Sequence, residues 1–309
     1  MTRLALLVGL GLAGCVAAVQ ATGNDELDRV QQWRTARVAE LTSADGWLTL
    51  VGLLWLDQGE NSFGSAAGNH LVLTHPGLPS VAGDFVRDGQ NVRFTAAPGS
   101  GITHDGQPVS TVQMISDMQG EPTVLARGSL RFFIIERAGK LGVRVRDLDS
   151  PRRRNFQPIE YFPVNADWAL TARFEPYTPH RSIPIVNILG LEQNMDSPGA
   201  IVFSKDGHEW RLDTILESPN DDSLFVMLAD GTSGKESYGG GRFLRVPLPK
   251  RTSGGYATRV DFNQAYNPPC AFNDFATCPL PPFQNRLTLR IESGEKSYGG
   301  GNVRHTPSP

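Results

Sequence analysis

Between Asp261 and Leu287 the chain reads DFNQAYNPPCAFNDFATCPLPPFQNRL. No apolar position in it recurs at the spacing of a helix or a strand. Pro268, Pro269, Pro279, Pro281 and Pro282 fix φ and withhold a backbone donor, so most of the stretch must be ordered loop. A loop of this length needs side chains to brace its backbone, and Asp261, Asn263, Asn267 and Asn285 are of the types that do so.

Composition then sets the class. At 309 residues the chain is long enough for one large or two small domains. Hydrophobic content of 39% and charged content of 20% exclude a disordered chain. A formal net charge of −3 gives no basic surface for nucleic acid, and no nucleic-acid partner is expected. With 33 Gly, 22 Pro and frequent β-branched residues, the pattern is one of short strands joined by turns.

The N-terminus has the layout of an export signal. Arg3 precedes an apolar run from Leu4 to Ala13, which closes on Leu12-Ala13-Gly14-Cys15. That tetrapeptide resembles the lipobox of bacterial lipoproteins. It implies a signal peptide over 1–14 and lipidation of Cys15, hence a membrane partner reached through a lipid and not through a span. Val16 after the Cys fits a periplasm-facing outer-membrane location in a Gram-negative host. A soluble exported protein is the alternative. The glycines at 9, 11 and 14 match a dinucleotide fingerprint only formally, without strand–helix context.

Beyond a tether at 15–23, Asn24 is placed to cap a helix in which Leu27, Val30, Trp33, Val38 and Leu41 recur near helical spacing. Short strands are expected from Glu60 to about Asp147, as in a sandwich. The cadence from Asn61 to Ser65 resembles a forkhead-associated domain in fold alone, since the phosphothreonine-binding residues are missing. A hairpin of Leu130–Arg137 with Leu141–Asp147 puts Leu141, Val143 and Val145 on one face, and Arg144 and Arg146 on the other. The expected architecture is all-β, two packed β-sandwich or barrel-like units with one N-terminal α-helix. The first unit with its helix takes 24–175, the second with the Pro/Cys loop takes 176–296, and a flexible tail takes 297–309.

The Asp261–Leu287 stretch, followed by Gly294-Glu295-Lys296, resembles the signature of domain-of-unknown-function family 1684, and the resemblance spans the chain from Trp33 to Lys296. The segments GVRVRD (142–147) and YGGGRFL (238–244) match further motifs of that family. The resemblance implies no particular activity. The motifs together supply a polar set of mixed sign: Arg144, Arg146, Tyr238, Arg242, Asp261, Asn263, Tyr266, Asn267, Asn285, Glu295 and Lys296. Gathered at the junction of the two β units, they would form a pocket for a small polar or anionic ligand. Dispersed, they would brace loops. Other readings are an enzyme such as a hydrolase, with Asp261 or Glu295 as general base, and an envelope structural or assembly factor.

Specific chemistry is otherwise thin. There is no G-x-S-x-G elbow, no P-loop and no H-E-x-x-H, and the six His are scattered, so no metal and no cofactor are expected. Cys270 and Cys278, with seven residues between them in an exported chain, predict a small-loop disulfide. Separate buried thiols, or a metal or redox role, are the alternatives.

Overall fold

The computed structural model describes the backbone over residues 13–300 and the side chains over 25–299. The expected signal peptide lies almost wholly outside the described residues, as does the side chain of Cys15. The chain opens with α1 (Ala13–Thr42), which takes in the expected tether. Asn24 therefore lies inside the helix and not at its cap. Residues 16–21 are rich in Ala and carry no Pro, so nothing in them stops a helix. The buried stripe of α1 is Glu26, Val30, Arg37 and Leu41, with Trp33 half-buried, and Leu27 faces solvent. No described helix is long and apolar enough to cross a membrane.

After a 3-10 turn at Trp47–Thr49, the strands follow as β1 (Leu50–Trp55), β2 (Gly59–Gly64), β3 (Leu71–Val72), β4 (Gly83–Asp88), β5 (Asn91–Ala96) and β6 (Thr103–His104). Next come β7 (Gln107–Pro108), β8 (Thr111–Met114), β9 (Leu125–Arg127), β10 (Leu130–Arg137) and β11 (Lys140–Asp147). They form two sheets, β1-β11-β10-β9-β6-β7 and β3-β2-β4-β5-β8. One apolar core fills the space between them, with Phe63 of β2 meeting Phe132 of β10 edge-on at 5.3 Å. The β10–β11 hairpin turns at Ala138 and Gly139, both at positive φ as a type I′ turn requires.

A helical turn, α2 (Pro151–Arg154), leads to β12 (Ala169–Val186), β13 (Glu192–Lys205), β14 (His208–Asp213), β15 (Ser223–Leu228), β16 (Arg242–Pro247), β17 (Lys250–Thr252) and β18 (Gly255–Asp261). Position 176, where the boundary between units was expected, lies inside β12; the pairing of β12 with β13 shifts register between Pro176 and Arg181 instead of breaking. The sheet β14-β13-β12-β18-β17 packs on the β15-β16 pair. Leu224, Val226 and Leu228 enter that core, while Phe225 and Met227 enter a second one with Cys270 and Cys278. Because β15 is buried on both faces, it reads as an unbroken apolar run. The fold is thus mostly β with one N-terminal helix, as expected.

The chain end is tied down further than the sequence suggests. Tyr298 stacks on Phe156, with centroids 5.6 Å apart, and its hydroxyl accepts from the Gln157 N–H at 3.0 Å. The tail expected from residue 297 is therefore docked through Tyr298, and 301–309 lie outside the described residues.

Candidate functional site

β11 is a central strand, paired with β1 on one side and β10 on the other. Leu141, Val143 and Val145 enter the core between the first two sheets, and the alternation turns Gly142, Arg144 and Arg146 the opposite way. On that side the face is covered by Trp47 and the Pro/Cys loop, so Arg144 is only 3% exposed. Its guanidinium lies 5.7 Å from the Trp47 ring and has one long hydrogen bond, from Nη2 to the Thr277 hydroxyl at 3.4 Å. Its Nε has no partner, and no carboxylate pairs with it among the described residues. Burial, followed by the charge of Arg137, pushes its pKa down to about 10.

In front of this wall is a cavity of about 420 Å³. Arg37 and Glu40 of α1, Trp47, Arg137, Glu217, Phe225, Phe243, Arg245, Tyr266, Pro269, Thr277, Cys278 and Pro279 line it. Three guanidiniums of the lining are already paired. Arg37 reaches Glu295 at 3.3 Å and the Asn267 carbonyl at 2.9 Å, Arg137 reaches Asp117 at 2.8 Å, and Arg245 pairs with Glu217. Thr277 and Trp47 touch Arg144 and also line the cavity. The uncompensated charge therefore sits directly behind the cavity wall.

The residues expected to form the site do not stay together. Arg242 is fully buried and clamps the chain end: it pairs with Asp230 at 2.7 Å and donates to the carbonyls of Ile291 at 2.9 Å, Ser293, and Glu295 at 3.3 Å. Its carboxylate partner is thus Asp230, which lies outside the expected set. Glu295 is likewise 0% exposed, with one oxygen on Arg37 and the other accepting from the Asn267 N–H at 2.7 Å. Burial raises its pKa against the pull of Arg37. Asp261 accepts from the backbone and side chain of Asn263 at 3.0 and 2.9 Å. Neither carboxylate lines the cavity, so neither is placed as a general base there.

Asn263, Asn267 and Asn285 brace backbone, as their residue type allows. Asn263 exchanges bonds with Asn165, Asn267 donates to the Lys296 carbonyl at 2.7 Å, and Asn285 holds Asp213 and the Met227 carbonyl. Lys296 places its ammonium 5.3 Å from the Phe162 ring, and Tyr238 packs against Leu41 and Phe272 in a separate apolar cluster. Arg146 is half-buried over Phe133, with its Nε unpartnered. Of the expected set, Tyr266 lines the cavity and Arg144 stands behind it.

The expected disulfide is not formed: Cys270 and Cys278 are both free and buried. Each sulfur accepts the other residue's N–H, at 3.1 and 3.3 Å, so the turn is closed by hydrogen bonds and by packing against Ile183 and Met227. The hydrogen bond from Cys278 lowers the Cys270 pKa, while burial raises that of Cys278. Unfolding without reductant is expected to expose two thiols that alkylate completely, seen by intact mass. Recovery of the two peptides cross-linked would contradict it.

Two functional placements were missed in the sequence, Arg37 and Glu26. Both lie on the buried stripe of α1, and a charged residue in phase with Val30 and Leu41 was the available signal. Glu26 pairs with Arg259, which also reaches Asp261 at 3.5 Å. Burial first, and then the Asp261 carboxyl, raise the Glu26 pKa above its ordinary 4.5. An acid weaker folded than unfolded binds more protons in the native state across that window. Stability from this group is therefore lost as pH rises from 4.5 through the folded value. The stability difference between wild type and Glu26→Gln, measured by urea titration, is expected to shift in the variant's favour over that rise. A difference constant with pH would refute the assignment.

Residues 154–296 match the family described as protein of unknown function (DUF1684). Among solved structures, an uncharacterized protein of Haloarcula marismortui is 29% identical, over 47% of this chain and 80% of its own, at a TM-score of 0.40. The FhaA FHA domain, solved with the intracellular domain of Rv3910, is 18% identical over 30% of this chain and 97% of its own, at a TM-score of 0.22. Another structure of phosphothreonine-dependent FHA domain interactions is 19% identical over 32% of this chain and 96% of its own, at a TM-score of 0.22. No curated protein matches the chain.

Proposed function

From its DUF1684 region outward, we infer that this chain is a binding protein for a small anion, held in the cavity between α1, the β15–β16 pair and the Pro/Cys loop, in front of Arg144. One observation carries the reading: Arg144 is buried without a carboxylate, behind a cavity whose other guanidiniums are paired. A desolvated charge with no carboxylate paired to it is costly to keep. An anion arriving in the cavity supplies the missing partner. Thr277 accepts from Arg144, which leaves its own hydroxyl proton for the ligand. The lipobox-like Leu12-Ala13-Gly14-Cys15 that closes the signal-like segment 1–14 supports an envelope location for this binding protein, tethered through a lipid on Cys15. Metabolic labelling with a fatty-acid probe is expected to mark wild type and not Cys15→Ala.

The binding claim is tested by thermal denaturation at constant ionic strength. Simple carboxylates and phosphates are added in turn to wild type and to Arg144→Met. At least one anion is expected to raise the wild-type Tm and leave the variant unmoved. A wild type indifferent to all of them would remove the reading.

A further inference from the structure

Resting on that anion site, we propose that its ligand is a monoanionic carboxylate carried on an aromatic ring. Three features of the cavity specify this class. The first is charge. Of the four guanidiniums at the cavity only Arg144 lacks a paired carboxylate, while Arg37, Arg137 and Arg245 each have one, so a single negative charge supplies the one missing partner. A dianion would bring a second negative charge for which no unpaired guanidinium remains. Glu40 and Glu217 on the lining also repel a second acidic group, which disfavours dicarboxylates and nucleotides.

The second feature is size. About 420 Å³ falls in the range of small-molecule sites, ~300–1,000 Å³, and far exceeds what acetate or inorganic phosphate needs. The third is the wall. Phe243 stands edge-on to Phe225 at 4.8 Å and to Tyr266 at 5.8 Å, and Trp47 faces the same space. A cavity wall of edge-on rings can take one more ring in the offset or edge-to-face geometry that aromatic pairs prefer. The carboxylate then accepts from the Thr277 hydroxyl, with the Arg144 guanidinium behind that side chain as its counter-charge, and the ring lies among Trp47, Phe243 and Tyr266.

The test is isothermal titration of the full-length protein with phenylacetate, acetate, phenyl phosphate at a pH where it is dianionic, and neutral phenylacetamide. Phenylacetate is expected to bind about tenfold or more tighter than acetate and than phenyl phosphate, a gap that one ring–ring contact can supply. Phenylacetamide is expected not to bind measurably, and Arg144→Met is expected to abolish phenylacetate binding. If acetate binds as tightly as phenylacetate and both need Arg144, the aromatic class is overturned and the anion site stands. Tighter binding of phenyl phosphate overturns the monoanion. If none of the four binds, this proposal falls, and an unmoved Tm with all anions shows that the underlying reading falls with it. The wild-type arms settle these outcomes even if the variant fails to fold.

Discussion

Asp230→Ala is expected to cost about 3–5 kcal/mol of folding stability, read as a lower urea midpoint at an unchanged slope. Arg242 is 0% exposed and meets Asp230 at 2.7 Å, and its remaining hydrogen bonds go to carbonyls of Ile291, Ser293 and Glu295. Removing the carboxylate strands a full charge where water cannot reach it. Carbonyl dipoles alone do not replace a counter-charge at this burial. The loss should spread, because Arg242 ties β16 to the closing segment that delivers Glu295 to Arg37 of α1. Asp230→Ala combined with Arg242→Met is expected to cost less than the two single changes added together, since the pair leaves no stranded ion when removed as a unit. A single variant within about 0.5 kcal/mol of wild type would show that the pair contributes nothing.

Asp230 also marks where sequence reasoning runs out. The β10–β11 hairpin could be read from alternation, and with it the side of the strand on which Arg144 lies. What covers that side could not, because Trp47 and Thr277 come from distant loops with no periodicity. Arg242 was visible as a motif residue, but its partner lies in an Asp-Gly-Thr-Ser loop whose composition resembles any other turn. The expected polar pocket dissolved for the same reason that it attracted notice. Asn263, Asn267 and Asn285 cluster in sequence because a Pro-rich loop leaves many backbone groups without ladder partners, and side chains must satisfy them. Their demand is local and structural. Gly294 belongs to that account, since at φ +81 a Cβ there would lie 2.4 Å from the Ala265 carbonyl oxygen. In α1 the reason is different: Glu26 and Arg37 fall in phase with Val30 and Leu41, on the very stripe that packs inward, where a charged side chain breaks the apolar pattern that marks a buried face. Cysteine spacing, finally, reported proximity correctly but not oxidation state.

Arg144→Met is expected to move stability and binding in opposite directions. The free protein should gain about 1–3 kcal/mol, as buried ions replaced by apolar groups of similar volume often do. Methionine can fill the slot beside Trp47 without a charge to solvate. The direction of the pKa shift agrees in sign. Burial and then Arg137 push Arg144 from 12.5 down to about 10, so the native state binds fewer protons than the unfolded chain across that interval. Stability then rises with pH only between those values, and below about 10 the full penalty remains. Arginine stays charged near neutrality, so the penalty acts at every ordinary working pH. On the proposed function that cost is offset by what the residue binds, since marginal stability tolerates such a cost where function requires it. Arg144→Lys separates the two effects: it keeps the charge and the penalty but loses the planar donor set, so it should bind weakly with no gain in stability. Should Arg144→Met instead lower stability by more than about 1 kcal/mol, the residue is a brace through its packing on Trp47 and Thr277. The cavity would then have lost its reason to attract an anion.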